Sequence, residues 1–282
     1  MSIVNVKDIV ENKKKNLKRE IMELRDEGII PKLAVILAND SDASRVYVGR
    51  KRKLCQEMGI DETEYIFDEK VTTEMLINTI KKLNEDNEID GILVQLPLFK
   101  HIDEQKVLDS VLPTKDVDGF SSINVGMLYR GNKDIVPCTP KGILTILKEL
   151  EPNLVGKNAV VVGRSQIVGK PMAALLLSEE MTVTICHSKT TDLVRHTKEA
   201  DVLVVATGVP HLIKEGMIKE GAIVIDVGMT RVGDKLVGDV DTESLKDVAK
   251  YITPVPGGVG LTTVFSLMEN VVVLAVKRRK NK

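Results

Sequence analysis

Residues 158–172 read Asn158-Ala-Val-Val-Val-Gly-Arg-Ser-Gln-Ile-Val-Gly-Lys-Pro-Met172. The run 158–162 is apolar after its first residue and ends in three valines, the pattern of a strand buried on both faces of a parallel sheet. Gly163 ends that run, and Gly169 precedes Met172-Ala-Ala-Leu-Leu-Leu177, which suits a helix. Strand, glycine-bearing turn and helix form the unit in which dinucleotide-binding sheets hold a pyrophosphate, because backbone N–H groups and a helix N-terminus favour an anion. The spacing is not G-x-G-x-x-G, and Arg164 follows the first glycine. Taken alone, the loop leaves an ordinary strand-to-helix turn open.

The next strand, 182–186, ends in His187-Ser-Lys-Thr190. NAD-binding folds often place a carboxylate about there, roughly 20 residues past the glycines, to bond the ribose 2′-hydroxyl. Here Ser188 and Lys189 stand instead, with Arg164 at the loop. An arginine with hydroxyl donors suits a 2′-phosphate, so the expected cofactor is NADP. Ala206-Thr-Gly208 and Asp226-Val-Gly228 close two later strand patterns, where a doubly wound sheet places its ligand.

Outward from this segment, strands are expected at 158–162, 182–186, 201–206, 222–226 and 250–253, with a last helix over about 262–279. N-terminal to it the pattern predicts a helix at 6–27, a strand at 32–38 and a helix at 43–58. A strand at 64–67, a helix at 72–84, a strand at 90–96 and a helix at 103–112 follow. The alternation is that of an α/β protein. Residues 113–138 are turn-rich and read as a loop and domain boundary. Thr139 and Pro140 read as N-cap and first residue of a helix to about 150.

The 282 residues allow two domains, and 43% hydrophobic content supports a sizeable core. Lys plus Arg is 40 against 41 Asp plus Glu, so no charge footprint for nucleic acid or an anionic membrane is present. The short basic end 277–282 reads as a solvated helix end. The N-terminus lacks an apolar leader core, and apolar runs such as 271–276 are too short to span a bilayer. Cys55, Cys138 and Cys186 form no CxxC pair, so neither disulfides nor a metal site is expected. A cytoplasmic protein is the resulting expectation. His101, His196 and His211 read as surface residues, and His187 falls near the adenosine by position.

In the helix expected over 43–58, Tyr47, Lys51, Leu54 and Met58 share one stripe, whereas Arg52, Lys53 and Gln56 lie elsewhere. Lys51 therefore either snorkels from an apolar face or is desolvated and suited to proton transfer. Gln95 interrupts an apolar strand just before Pro97. It either satisfies a backbone group or reaches Lys51. Asp116 and Asp118, in Lys-Asp-Val-Asp-Gly, are also good turn formers.

Together the segments resemble one family, the bifunctional methylenetetrahydrofolate dehydrogenase/methenyltetrahydrofolate cyclohydrolases. They are SRVYVGRK at 44–51, DGILVQLPL at 90–98, KDVDG at 115–119, PCTPKGI at 137–143, VVVGRSQIVGKPM at 160–172, GAIVIDVG at 221–228, GDVD at 238–241 and ITPVPGGVG at 252–260. The resemblance implies a substrate and catalytic domain over 1–138, to which helix 262–282 returns, and an NADP-binding Rossmann domain over 139–261. It implies a cleft between them for folate, and a homodimer. By match, Tyr47, Lys51, Gln95 and Asp118 become catalytic residues, with Tyr47 and Asp118 also binding substrate. Pro256, Gly257 and Gly258 fall on the folate side. Gly163, Arg164, Ser165, Ser188 and Met229 fall at cofactor positions.

Three departures stand out. Leu261-Thr262 replace a usual Pro-Met, which is expected to loosen the loop. Asn39 replaces a glycine, as the residue best able to take a left-handed conformation. Asp42 replaces a frequent proline. The competing readings are a monofunctional dehydrogenase, a shikimate-dehydrogenase-like NADP enzyme, and a non-catalytic folate-binding protein.

Overall fold

The computed structural model describes residues 2–280. The chain opens with β1 (Ser2–Ile3), α1 (Val6–Asp26), β2 (Lys32–Leu37), α2 (Asp42–Met58), β3 (Asp61–Ile66), α3 (Thr73–Glu85) and β4 (Gly91–Gln95). Next come α4 (Glu104–Asp109), α5 (Ser122–Tyr129), α6 (Cys138–Leu150), β5 (Asn158–Val162), α7 (Gly169–Leu177) and β6 (Thr182–Cys186). Then follow α8 (Leu193–Thr197), β7 (Val202–Val205), β8 (Ile223–Asp226), β9 (Thr230–Val232), β10 (Lys235–Val237), β11 (Tyr251–Ile252) and α9 (Val259–Lys280). The chain divides into two compact units. Asn12–Cys138 with Val264–Lys282 form one, here the lysine unit; Met1–Glu11 with Thr139–Thr263 form the other, the glycine-loop unit.

The lysine unit holds a three-stranded parallel sheet in the order β3-β2-β4. Alternation along each strand divides the side chains between two faces. Ala34, Ile36, Ile92 and Val94 pack with Leu76, Ile80 and Leu83 of α3 and with Val107 and Leu108 of α4. Gln95, two residues from Leu93, points to the opposite face, and α2 lies on that side. There Val48, Leu54, Cys55 and Met58 are buried, while Arg52, Lys53 and Gln56 are exposed. The Cys55 thiol approaches Met268 Sδ of α9 at 3.5 Å.

By length and composition α9 could cross a membrane, yet 61% of its apolar stretch is buried within the protein. Its basic end is solvated only in part: Lys277 and Lys280 are exposed, whereas the two arginines between them are half-buried. Arg278 and Arg279 bond the fully buried Asp90 at 2.9–3.1 Å, and Asp90 Oδ2 also accepts from Lys32 N. Asn281 and Lys282, which close the expected helix 262–282, lie outside the described residues.

The glycine-loop unit is a parallel six-stranded sheet in the order β1-β11-β8-β7-β5-β6. From β5 the chain crosses to β6 on one side and then returns to β7 on the other. The strand order therefore reverses between β5 and β7, and ligands of such sheets bind outside the C-terminal ends of the strands there. Residues 2–11 sit in this unit because β1 pairs with β11.

Several boundaries differ from the sequence pattern. β3 starts at Asp61 rather than 64, because its acidic residues occupy an edge strand, where charges guard against further pairing. The turn-rich stretch contains α5, capped by Ser121. α6 starts at Cys138, so Thr139 is no N-cap; its hydroxyl meets that of Thr263 at 3.2 Å. α9 starts at Val259, three residues earlier than expected.

Candidate active site

α2 is capped at both ends. Ser41 accepts from Ser44 N, and Gly59, at φ +80°, closes the C-terminus. Asp42 lies in the first turn, where a negative charge favours the helix dipole. Asn39 is not left-handed. It is buried, donates to Pro97 O at 2.8 Å and accepts from Ser41 N at 3.0 Å, so it ties the start of α2 to the end of β4.

Between these caps Lys51 is only 5% exposed. Its Nζ donates to Gln95 Oε1 at 3.0 Å and lies 4.9 Å from the centre of the Tyr47 ring. Gln95 Nε2 in turn donates to Leu96 O at 2.7 Å, so the amide does both things the sequence left open. The lysine does not snorkel. Burial lowers its pKa below the ordinary lysine range, opposed chiefly by the Asp118 carboxylate.

The two aspartates of 115–119 separate in role. Asp116 is buried and accepts from Gly119 N, Phe120 N, Ser121 N and Asn124 Nδ2, which shapes the turn into α5. The preceding Lys115 is buried as well, bonding Leu83 O and Asp86 O at 2.7 and 2.6 Å. Asp118 is left half-buried and in electrostatic range of Lys51. Burial raises its pKa, and Lys51 opposes the rise.

Two further residues, which no local pattern singled out, hold this turn. Cys138 bonds Val117 O at 3.5 Å and lies against Asp118. Asn270 of α9 donates to Val117 O at 2.8 Å and Val136 O at 3.0 Å. The one signal for Asn270 was an amide directly before the apolar run 271–276.

In the glycine-loop unit, Gly163 has φ +131°, and a Cβ there would stand 2.3 Å from Ala206 O. A Cβ on Gly169 would stand 2.2 Å from Gly163 O. Only glycine lets the loop fold this closely over the ends of β5 and β7. Ser165 Oγ accepts from Val168 N and Gly169 N, and Ser165 O accepts from Lys170 N. The first N–H groups of α7 are thus used within the loop, and Arg164 stands exposed beside it.

After β6, His187 Nδ1 accepts from Lys189 N at 3.1 Å, and His187 N donates to Thr190 Oγ1 at 2.8 Å. This local turn leaves Ser188 and Lys189 exposed. Arginine, lysine and hydroxyl donors without a carboxylate at the end of β6 fit an anionic dinucleotide carrying an extra phosphate. Met229, after β8, is 58% exposed.

The 254–260 segment follows β11. Gly257 has φ +94°, and a Cβ on Gly258 would stand 2.2 Å from Pro254 O. Leu261 N donates to Gly258 O at 3.0 Å, a bond that a proline could not make. The exchange therefore supplies a backbone hydrogen bond at this position. Thr262 is fully buried and bonds Val259 O.

Reversed strand order, switch-point glycines and a cationic strand end define a dinucleotide-binding α/β protein, and its other unit carries a desolvated amine. Residues 4–118 match the tetrahydrofolate dehydrogenase/cyclohydrolase catalytic domain, and residues 137–279 match the tetrahydrofolate dehydrogenase/cyclohydrolase NAD(P)-binding domain. The chain belongs to this family. It is 52% identical over 281 residues to the bifunctional protein FolD of Acetivibrio thermocellus, covering 99% of each. The crystal structure of the bifunctional FolD methylenetetrahydrofolate dehydrogenase/cyclohydrolase of Campylobacter jejuni matches with a TM-score of 0.96 at 46% identity, covering 99% of each chain. A Trypanosoma brucei methylenetetrahydrofolate dehydrogenase-cyclohydrolase, solved with NADP and an inhibitor, matches with a TM-score of 0.93 at 37% identity. That match covers 98% of this chain and 97% of the other.

Proposed function

We infer that the protein catalyses two consecutive reactions. It oxidises 5,10-methylenetetrahydrofolate to the 5,10-methenyl cation with NADP⁺, and it hydrolyses that cation to 10-formyltetrahydrofolate. Family membership and full-length similarity to bifunctional relatives support the pair of activities. The observation that carries the second reaction is the buried Lys51 amine, 3.0 Å from Gln95 Oε1.

NADP⁺, when bound, supplies the hydride acceptor for the first reaction. Gly163, Arg164, Ser165, Ser188 and Met229 are the residues assigned to hold it. No base is needed in that reaction, so orientation is most of what the chain contributes.

Hydrolysis does need proton transfer. Water adds to the methenyl carbon, a proton leaves that water, and the ring C–N bond then breaks to give the formyl product and one net proton. A neutral Lys51 takes the proton. Burial favours the neutral amine, and a substrate cation nearby favours it further. Gln95 orients Nζ, Tyr47 packs against the substrate, and Asp118 accepts from pterin N–H groups. Pro256, Gly257 and Gly258 line the folate side.

We further place the protein in the cytoplasm as a homodimer acting on a small-molecule folate, without a nucleic-acid or membrane partner. The balanced charge supports the lack of a nucleic-acid partner and the packing of α9 the lack of a membrane one, while the homodimer follows from the family resemblance. A monofunctional dehydrogenase or a non-catalytic folate binder would leave the lysine–glutamine pair without a role. A shikimate-dehydrogenase-like enzyme would leave residues 44–51 and 90–98 without one.

The test mixes purified protein with methylenetetrahydrofolate and NADP⁺, then with NAD⁺, and follows reduced cofactor and methenyl absorbance. Faster reduction with NADP⁺ and little methenyl build-up are expected. Methenyl decaying at its uncatalysed rate would leave a dehydrogenase only. No reduction with either cofactor would leave only the fold.

A further inference from the structure

Two buried carboxylates stand at the ligand-side end of the glycine-loop unit's sheet, and neither proposed reaction uses them. Asp226 is the last residue of β8, and Asp239 follows β10; both are almost fully buried. Asp226 Oδ1 accepts from Gly228 N and Asp239 N, and Oδ2 accepts from Val240 N, each at 3.0 Å. Asp239 Oδ2 accepts from Thr207 N at 2.5 Å and from Thr207 Oγ1 and Gly208 N at 2.9 Å.

These bonds go to loops rather than to strand ladders. Thr207 and Gly208 follow β7, directly after Ala206, whose carbonyl abuts Gly163 at the switch point. Gly228 follows β8 and precedes Met229. Asp239 therefore fixes the loop after β7. Asp226, by holding both Asp239 N and Gly228 N, sets that loop in register with the loop after β8. Thr230 Oγ1 closes the arrangement by donating to Gly208 O at 3.2 Å.

Close approach is built in. A Cβ on Gly228 would stand 2.0 Å from Asp239 Oδ1, and a Cβ on Gly238 would stand 1.8 Å from Asp226 Oδ2. Asp239 Oδ1 itself is buried without a hydrogen-bond partner among the described residues. A bare buried carboxylate oxygen is unfavourable for stability. The three donors on the other oxygen all belong to the loop after β7, so what this carboxylate holds is that loop.

We propose that Asp239 is a positioning residue for the NADP site, holding the 207–208 loop at the switch point in register with the 227–229 loop. The proposal rests on the reading that NADP binds at this edge. Asp239 acts through backbone groups and need not touch the cofactor.

The test measures NADP⁺ affinity by calorimetry for wild type, Asp239→Asn and Asp239→Ala. Alongside it, cyclohydrolase activity is measured on supplied methenyltetrahydrofolate without cofactor. Loss of a charge-assisted acceptor should weaken NADP⁺ binding about tenfold or more in Asp239→Ala. Asp239→Asn, which keeps one carbonyl oxygen for the same donors, should lose less. Cyclohydrolase rates should stay within about twofold of wild type, a factor worth only a few tenths of a kcal/mol. If Asp239→Ala does not fold, Asp239→Asn decides on the same two readings.

Unchanged affinity in the folded variants overturns the proposal. So does a parallel fall of affinity, cyclohydrolase rate and melting temperature, which would make Asp239 a general structural residue. A wild-type protein that binds no NADP⁺ would overturn the functional reading itself, and the proposal with it.

Discussion

The lysine site and the glycine-loop edge use burial in opposite ways. In the first, an ionisable amine is taken out of water and left with one amide partner and one aromatic face. In the second, the ionisable groups assigned to the cofactor stay exposed, and the buried groups are glycines and loop-holding carboxylates. A proton-transfer group gains from desolvation because its charge must be lost at neutral pH. An anion-binding group must keep its charge and stay reachable. The same α/β layering serves both demands because strand ends present backbone, whereas a helix face can hide a side chain.

The comparison breaks first at Lys51. A positioned general base contributes roughly 10²- to 10⁴-fold. Lys51→Met is therefore expected to lower the cyclohydrolase rate by about that factor and to lower the dehydrogenase rate far less.

Next in size is the structural ion cluster. Breaking a buried pair costs about 3–5 kcal/mol. Asp90→Ala leaves Arg278 and Arg279 without their carboxylate and should lower unfolding free energy by about that amount, read from urea titration. A loss below about 1 kcal/mol, the range of exposed pairs, would mean the cluster is effectively solvated.

At the exposed edge the effect should be smaller and should change selectivity. Arg164→Ala is expected to reduce the NADP⁺ over NAD⁺ preference by about 10- to 100-fold, the worth of one or two charge-assisted hydrogen bonds. The kcat for methenyl hydrolysis should not move. An unchanged cofactor preference would remove Arg164 from the phosphate site.

Titration sharpens the contrast. Burial lowers the pKa of Lys51, while Asp118, Cys138, Cys55 and Glu62 all pull it up. The neutral amine is the active form and dominates above that pKa. Cyclohydrolase activity should therefore fall as pH drops through a midpoint below the ordinary lysine range. Asp118→Asn should move that midpoint down, since it removes the largest raising influence. A midpoint unmoved in Asp118→Asn would detach Asp118 from the lysine. The smallest effect is expected from Leu261→Pro, which removes the N–H bonded to Gly258 O and should cost at most about 1 kcal/mol.

Much of this was readable from sequence, for identifiable reasons. β2, β4, β5, β7 and β8 are apolar runs because parallel strands covered on both faces need no alternation. Lys51 and Gln95 were visible as polar residues at positions where period and burial demanded apolar ones. What stayed hidden depended on distant partners or on very short elements. β1 has two residues, and β9 and β10 three, too few to show a period. Asp116 and Asp118 sit two apart with the same turn propensity, and only burial separates the turn former from the lysine's neighbour. Asn270 acts on Val117, 153 residues away, and Asp239 acts on Thr207, 32 residues away. Arg278 and Arg279 looked solvated like their lysine neighbours because their acidic partner, Asp90, lies in a different part of the chain.

The most direct measurement is a parallel progress curve for wild type and Lys51→Met. Methylenetetrahydrofolate and NADP⁺ are supplied, and reduced cofactor and methenyl absorbance are recorded together. The account requires that the variant still reduce NADP⁺ while methenyl accumulates and decays at its uncatalysed rate. Wild-type disappearance of methenyl in the variant would contradict it, because the buried amine would then have no part in the hydrolysis.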